Sequence, residues 1–240
     1  MWNGKKVSVI LSTYREKDSI RKCIDDFFNT GVVDEVIVVN NNAEPGTDFE
    51  IKKTKAKLFY EKKQGYGWGY RKGLSVAKGD LLILCEPDGT FEARDIFKFL
   101  NYSEDFDVVF GTRTTSATIG EGANMGFFLK WGNWFVAKLM EVLFLTTHLS
   151  DAGCTYRLIE KSAYKKIRKN FKTGSSYWGL ETMLNIIQSK KSFVEIPIHY
   201  RKRVGKSAVT GSFLKAFILG LVMIKTIVIF RIRTLFKKEI

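Results

Sequence analysis

The sequence predicts an α/β protein in which helices flank a mostly parallel sheet. Short runs rich in apolar residues, such as Val7–Ser12, Glu35–Val39 and Leu81–Cys85, lack the alternation of a half-exposed strand. Each run therefore predicts a strand buried on both faces. Segments with helical spacing separate the runs, and strands that alternate with helices are typical of a parallel sheet.

The predicted elements follow from apolar spacing and from residues that end helices. Ile20, Cys23, Ile24 and Phe27 share one helical face, which Gly31 closes. In chain order, the elements are strand Val7–Ser12, helix Lys17–Thr30, strand Glu35–Val39, strand Leu58–Tyr60, helix 65–78, strand Leu81–Cys85, helix Asp95–Leu100, strand Asp107–Phe110, helix Phe127–Leu145, strand Phe193–Tyr200 and helix Phe213–Phe230.

Two long apolar helices stand apart from this alternation. Phe127–Leu145 suits either a core helix or a helix on a membrane surface, and its periodicity does not separate the two. Phe213–Phe230 contains Lys215 and Lys225, and interior lysines are costly at the centre of a bilayer. Its basic flanks favour a helix that lies in the cytoplasmic lipid interface, with a soluble packing helix as the alternative.

We therefore expect residues 1–207 to form the main domain and residues 208–240 to form a membrane-associated segment. Within the domain, 114–150 would supply a loop and an amphipathic helix for an acceptor. The formal charge of +14 and pI near 9.6 favour an anionic partner. Because basic residues near the C-terminus interleave with apolar ones, they favour a membrane surface over nucleic acid. Three widely spaced cysteines indicate reduced thiols, which fit the cytoplasm. Together with the basic C-terminal segment, they predict a protein that is peripheral to, or anchored at, the inner face of the membrane.

The most informative motif is a pair of carboxylates, Glu86 and Asp88, which we call the acidic tip. They follow the predicted strand Leu81–Cys85 inside a turn with the sequence Glu-Pro-Asp-Gly. Ligands of parallel sheets bind beyond the carboxyl ends of the strands. Two acids there can hold a hard cation, Mg²⁺ or Mn²⁺, which prefers oxygen ligands and often bridges phosphates. A plain solvated turn is the alternative.

From residue 6 to residue 207 the motifs resemble those of family-2 glycosyltransferases of the GT-A (Rossmann-like) fold. The resemblance is strongest to the branch of polyprenyl-phosphate glycosyltransferases that includes dolichol-phosphate mannose synthase. The matching segments, in the family's order, are Ser12–Glu16, Val38–Asn42, Gln64–Gly73, Glu86–Asp88, Gly111–Arg113, Asp151–Arg157, the helix containing Glu181, and Arg203–Ser207.

The resemblance implies which residues bind the nucleotide-sugar donor and the metal. The donor residues would be Ser12, Tyr14, Glu16, Asn40, Gln64, Glu86 and Asp88. Asn40 stands where the family has Asp, and an amide both donates and accepts hydrogen bonds, so guanine and uracil stay open. Glu86 stands where the family has a shorter Asp, so Asp88 is the stronger candidate for a direct metal ligand.

The resemblance also implies the reaction, which is inverting transfer of a sugar to a polyprenyl or dolichyl phosphate. Such an acceptor is already ionised and needs cations more than a base. The candidate catalytic residues are Asp88, Arg113, Arg157, Arg203 and Lys206, and the candidate acceptor residues are Arg113, Asp151, Arg157 and Glu181. Two alternatives stay open. One is transfer to a saccharide hydroxyl with a carboxylate base such as Asp151. The other is a non-catalytic membrane- or nucleic-acid-binding module.

Overall fold

The computed structural model describes residues 1–123, 126–205 and 213–236, and within them seven strands form one sheet. The strands are β1 (Val7–Thr13), β2 (Glu35–Asn40), β3 (Lys57–Tyr60), β4 (Leu81–Cys85), β5 (Val108–Thr112), β6 (Arg157–Glu160) and β7 (Phe193–Pro197). The α-helices are α1 (Lys17–Asn29), α2 (Thr47–Lys52), α3 (Tyr66–Val76), α4 (Ile96–Tyr102), α5 (Phe127–Phe144), α6 (Lys161–Ile167), α7 (Trp178–Gln188) and α8 (Phe213–Phe236).

The sheet has the strand order β3-β2-β1-β4-β6-β5-β7. Parallel pairing joins β1 to β2 and β4, with Val9 opposite Val36 and Ile83, and also joins β2 to β3 and β5 to β7. β6 runs antiparallel to both of its neighbours, β4 and β5. The order reverses between β1 and β4, which is the place where open α/β sheets bind their ligands.

Successive strand residues point to opposite faces of the sheet, and each face has its own buried core. Ile10, Ile37 and Leu84 face a cluster to which α3, α5, α7 and α8 contribute. Val9 and Leu11 face the other cluster, with α1 and α4. Because both faces are covered, the strands carry apolar residues at almost every position rather than at every second one.

The structure confirms the predicted fold class of a mostly parallel α/β sheet flanked by helices. Each predicted strand and helix is present, with bounds that shift by a few residues. The prediction lacked β6, which is four residues long and has charged residues at both ends. It also lacked the short helices α2 and α6.

The two long apolar helices, α5 and α8, pack against each other and contribute to the buried cluster on one face of the sheet. Val136, Ala137 and Met140 of α5 are buried, as are Met223 and Ile227 of α8. α5 is thus a core helix on one side, although Phe135 and other large apolar side chains of its outer side are exposed. Among the described residues, no helix combines the length and the apolar character needed to cross a membrane.

Candidate active site

Polar side chains from distant parts of the chain meet where β1 and β4 end. Glu16 follows β1, the acidic tip follows β4, and Arg203 comes from the segment after β7. The Arg203 guanidinium lies among all three carboxylates. Nη1 is 2.6 Å from Asp88 Oδ2 and 3.8 Å from Glu86 Oε2, and Nη2 donates to Glu16 Oε1 at 2.9 Å.

Backbone pairing explains how Arg203 reaches residues more than a hundred positions earlier. The amide of Arg201 donates to the carbonyl of Thr90 at 2.8 Å, and that of Val204 donates to the carbonyl of Asp88 at 2.9 Å. Gly89 has a φ of +79°, and a Cβ there would lie 3.0 Å from Val204. The turn at 88–90 thus gives residues 201–204 a backbone to lie against.

Each carboxylate of the cluster is held by neighbouring donors. Asp88 Oδ1 accepts from the amide of Thr90 at 3.0 Å and from its hydroxyl at 2.6 Å. Glu86 Oε1 accepts from the Thr155 hydroxyl at 2.6 Å. Glu16 Oε2 accepts from the amides of Tyr14 and Arg15. In each carboxylate, one oxygen therefore accepts hydrogen bonds from backbone amides or a hydroxyl group, and the other oxygen faces Arg203.

The acidic tip fits a divalent cation. Burial, followed by the charge of Asp88, raises the pKa of Glu86 to about 7, so the pair gains from a neighbouring cation. In the structure, the Arg203 guanidinium supplies the positive charge beside the two carboxylates. Among the residues described, no group of three or more His, Cys, Asp or Glu side chains could hold a metal. Two carboxylates suit Mg²⁺ or Mn²⁺ when substrate phosphates and water complete the shell.

The glycine-rich entry to α3 is packed against its surroundings. Gly65 has a φ of +148°, and its amide donates to Asn41 Oδ1 at 2.8 Å. A Cβ on Gly67 would lie 2.5 Å from Trp178, and one on Gly69 would lie 2.0 Å from Ser12 Oγ. These two glycines therefore serve close packing of α3, which brings Ser12 and Gln64 to the cleft wall.

A second cation, Arg113 at the end of β5, is fixed by a buried carboxylate. Its amide, Nε and Nη2 donate to Asp151 at 3.0, 2.8 and 2.9 Å. Although burial alone would raise it, the charge and hydrogen bonds of Arg113 lower the pKa of Asp151. Glu195 on β7 in turn accepts hydrogen bonds from the amides of Ser150 and Asp151. The orientation of Arg113 thus depends on the buried Asp151 and, behind it, on the half-buried Glu195.

Several predicted site residues lie away from the cluster. Arg157 is buried and donates to the carbonyls of Gly179 and Cys154. Glu181 is buried and accepts from the amides of Lys172 and Thr173. Asn40 bonds to Asp48 and to the amide of Ala43. Lys206 lies outside the described residues. The roles assigned to these four residues stay predictions.

A cleft of 620 Å³ joins this polar cluster to the two long helices. Its polar end is lined by predicted residues, namely Ser12, Tyr14, Glu16, Gln64, Glu86, Arg113 and Arg203. Its other end is lined by apolar residues of α5 and α8, among them Leu129, Val136, Leu219, Met223 and Ile224. The cleft can therefore take a ligand with a charged head and an apolar body.

Sequence reasoning missed four residues that build the site. Thr155 donates a hydrogen bond to Glu86, and Thr90 donates one to Asp88. Asn41 accepts from the amide of Gly65, and Glu195 accepts from the amide of Ser150 in the turn before Asp151. Asn41 and Thr155 lie inside the recognised segments Val38–Asn42 and Asp151–Arg157, and Thr90 lies just beyond the acidic tip, so the positions of these three residues were a usable signal. Thr155 and Glu195 act on partners more than forty residues away, and no local pattern predicts such a pairing.

The fold is an α/β sheet of the GT-A type, and the polar cluster lies at the carboxyl ends of its strands β1 and β4. The chain belongs to the family described as glycosyl transferase family 2, whose model matches residues 8–168. The predicted family resemblance is confirmed.

The relatives that match by sequence include a hexosyltransferase and protein RfbJ. The low-salt glycan biosynthesis hexosyltransferase Agl6 of Haloferax volcanii is 23% identical over 207 residues, which are 84% of this chain and 49% of Agl6. The chain thus spans about half the length of that relative. Protein RfbJ of Shigella flexneri is 24% identical over 115 residues, which are 47% of this chain and 89% of RfbJ.

Solved structures share the fold. Glucosyl-3-phosphoglycerate synthase from Mycobacterium tuberculosis, in complex with Mn²⁺, UDP and glucosyl-3-phosphoglycerate, superposes with a TM-score of 0.72. The match covers 95% of this chain and 80% of the synthase at 13% identity. A second structure of that synthase, with Mn²⁺ and UDP-glucose, gives a TM-score of 0.73 at 12% identity, covering 95% of this chain and 79% of that one.

Proposed function

We propose that the protein transfers a hexose from a nucleotide-diphosphate sugar, GDP-mannose or a UDP-hexose, to a polyprenyl or dolichyl phosphate. The observation that carries this proposal is the cleft, which runs from Glu86 and two arginines, Arg113 and Arg203, to an apolar wall of α5 and α8. A polyprenyl phosphate has the same two parts, a doubly charged head and a long apolar chain. A saccharide acceptor would not need the apolar wall.

The chemistry matches the charges at the polar end. An oxygen of the acceptor phosphate attacks the anomeric carbon, and the bond from that carbon to the diphosphate breaks, with inversion. The electron pair leaves with the nucleoside diphosphate, whose charge a divalent cation on Glu86 and Asp88 neutralises when bound. Arg113 and Arg203 would hold phosphate oxygens, for which a guanidinium is well shaped. The related fold solved with Mn²⁺ and UDP supports this arrangement.

The Asp151 carboxylate argues against the saccharide alternative. A hydroxyl acceptor needs a general base whose pKa lies near the working pH. Burial would raise the pKa of Asp151, but the charge and three hydrogen bonds of Arg113 lower it below the ordinary value. A carboxylate in that state is a weak base and a good anchor for Arg113.

We further propose that the protein lies on the inner membrane face through α5 and α8. One side of α8 is buried, while Leu214, Ile218, Leu221 and Leu235 on its outer side are exposed, with Lys225 and Arg233 among them. Contiguous exposed apolar surface marks an interaction site, and basic residues beside it favour anionic lipid. The same location would bring a membrane-embedded acceptor to the apolar end of the cleft.

A partition assay tests the proposed acceptor. Radiolabelled GDP-mannose, UDP-glucose and UDP-N-acetylglucosamine are each incubated with a polyprenyl phosphate, with and without Mn²⁺. We expect one donor to yield label that moves to the organic phase, and only with the metal. Water-soluble labelled saccharide would favour the hydroxyl-acceptor alternative. No turnover of any donor, combined with salt-sensitive binding to nucleic acid, would favour the binding module.

A further inference from the structure

The guanidinium of Arg203 occupies the position that a metal would take at the acidic tip. We propose that Arg203 is the resident cation of the ligand-free protein, and that a divalent metal binds Asp88 by displacing it. This inference rests on the metal assignment of the proposed function. It adds an exchange in which the metal replaces the Arg203 guanidinium. This exchange sets the affinity for the metal in the absence of a nucleotide.

The distances set the two cations in competition for the same carboxylate oxygens. Arg203 Nη1 lies 2.6 Å from Asp88 Oδ2 and 3.8 Å from Glu86 Oε2. A metal bound to the same oxygens would sit about 2 Å from them. A guanidinium nitrogen and a metal ion cannot share that space, and their like charges repel at such short range.

The competition centres on one oxygen. Asp88 Oδ1 already accepts two hydrogen bonds from Thr90, at 3.0 and 2.6 Å, and these hold the turn. Oδ2 is the oxygen that Arg203 contacts. Since Asp88 is almost fully buried, it cannot turn a further oxygen outward without breaking the Thr90 contacts.

The hydrogen bonds of the Arg203 guanidinium allow it to leave the acidic tip. Its two terminal nitrogens bond to different carboxylates, Asp88 and Glu16, and its buried Nε has no hydrogen-bond partner among residues 1–123, 126–205 and 213–236. Arg113 differs, because its Nε and Nη2 both bond to Asp151. A buried donor without a partner is costly, so phosphate oxygens would offer Arg203 better contacts.

A consequence follows for the order of binding. Metal entry frees the Arg203 guanidinium, and a nucleoside diphosphate supplies the anionic oxygens that can receive it. Metal and diphosphate therefore assist each other through Arg203, in addition to their direct contact. Alone, the metal must compete with a cation that the protein already carries.

The test measures Mn²⁺ binding without any nucleotide, from the electron paramagnetic resonance signal of free Mn²⁺. We expect Arg203→Ala to bind Mn²⁺ at least roughly tenfold more tightly than the unaltered protein, since a competing charge a few ångströms away is gone. Arg203→Lys, which keeps the charge but lacks the fork, should fall between the two. Lys202→Ala removes one charge from the same exposed segment and should leave the affinity unchanged.

The outcomes separate this inference from the proposed function. Circular dichroism first checks that each variant is folded. Equal or weaker Mn²⁺ binding by Arg203→Ala, with binding lost in Asp88→Asn, overturns the exchange and leaves the metal site standing. Equal tightening by Lys202→Ala also overturns it, because a general charge effect would then suffice. Unchanged binding in Asp88→Asn overturns the metal assignment itself.

Discussion

The burial of charged side chains determines their pKa values and their effect on stability in this protein. Arg113 and Asp151 form a buried pair with two side-chain hydrogen bonds, and Glu195 lies behind them as a half-buried carboxyl on β7. Burial raises the pKa of Glu195 to about 7, because the hydrogen bonds from Ser150 compensate only part of the lost hydration. Removing one charged side chain from such a network leaves its partner without an opposite charge. For a buried ion pair, this lowers the free energy of unfolding by about 3–5 kcal/mol.

Glu195→Gln should change how stability depends on pH. The folded protein favours the protonated carboxyl of Glu195. The contribution of this group to the unfolding free energy is therefore full below the unfolded-state pKa of 4.5, and it is lost as the pH rises through a folded-state pKa of about 7. The loss amounts to about 3 kcal/mol at 1.36 kcal/mol per pKa unit. We expect the unfolding free energy of Glu195→Gln, relative to the unaltered protein, to rise over this window in urea titrations.

The control for this prediction is Glu121→Gln, which alters an exposed carboxylate. Its unfolding free energy should stay within about 0.5 kcal/mol of that of the unaltered protein, as is usual for surface substitutions. A pH-independent difference for Glu195→Gln would contradict the raised pKa of Glu195 in the folded protein.

At the level of elements, α3 approaches the sheet closely because it carries glycines. Gly69 faces Ser12 on β1, and Gly73 faces Ile10, whose Cγ2 would lie 2.3 Å from an added Cβ. This contact sets where Gln64 and the entry of the helix lie relative to the ends of the strands. Close packing thus explains the glycines at positions 67, 69 and 73.

Gly69→Ala should destabilise the protein by about 1–3 kcal/mol, because overpacking a dense contact outweighs the gain in helix propensity. The added Cβ would lie 2.0 Å from Ser12 Oγ. The matched control is Gly132→Ala in α5, where no heavy atom of the described residues lies within 4 Å of the new Cβ. That change should be neutral or stabilising by up to about 1 kcal/mol. Equal effects of the two substitutions in urea unfolding would contradict the packing explanation.

Elements were predictable from the sequence where their pattern is local. The strands β1, β2 and β4 are apolar at nearly every position and were predicted within two residues of their observed ends. β6 was not, because Arg157–Glu160 has charged ends and becomes a strand only by pairing with β4 and β5. The acidic tip was predictable for the same local reason, whereas the contact of Arg203 with Asp88 depends on the whole sheet.

For the whole molecule, the distribution of exposed apolar surface is the main feature. α5 and α8 pack through Phe144 and Phe230, whose ring centroids are 6.1 Å apart, and Arg231 lies over the Phe144 ring at 5.6 Å. The outer sides of both helices carry exposed apolar side chains, and on α8 basic residues lie among them. With a formal charge of +14, the molecule is suited to an anionic surface on that side.

Leu235→Glu, which places a charge on the outer side of α8, should weaken binding to vesicles of phosphatidylcholine and phosphatidylserine. Leu235 is 64% exposed, so the substitution is compatible with the fold. A carboxylate there opposes both insertion and attraction to anionic lipid, and we expect at least a roughly threefold loss of affinity by co-sedimentation. Asn101→Glu on the exposed part of α4 is the matched control and should bind as before.

Unchanged vesicle binding by Leu235→Glu would contradict a membrane location for α8. If that variant instead converted a dimer into a monomer in sedimentation equilibrium, the apolar side would be an interface between two copies of the chain.

The most direct test of the account is Mn²⁺-dependent transfer to polyprenyl phosphate by Asp88→Asn. An asparagine keeps Oδ1 for its hydrogen bonds from Thr90, so the turn should persist while the charge facing the metal is lost. We predict that kcat falls by at least roughly a hundredfold, whereas Asp105→Asn, an exposed carboxylate outside the cleft, leaves it unchanged. Full activity of Asp88→Asn would contradict the central claim that the acidic tip holds the cation on which the diphosphate leaves.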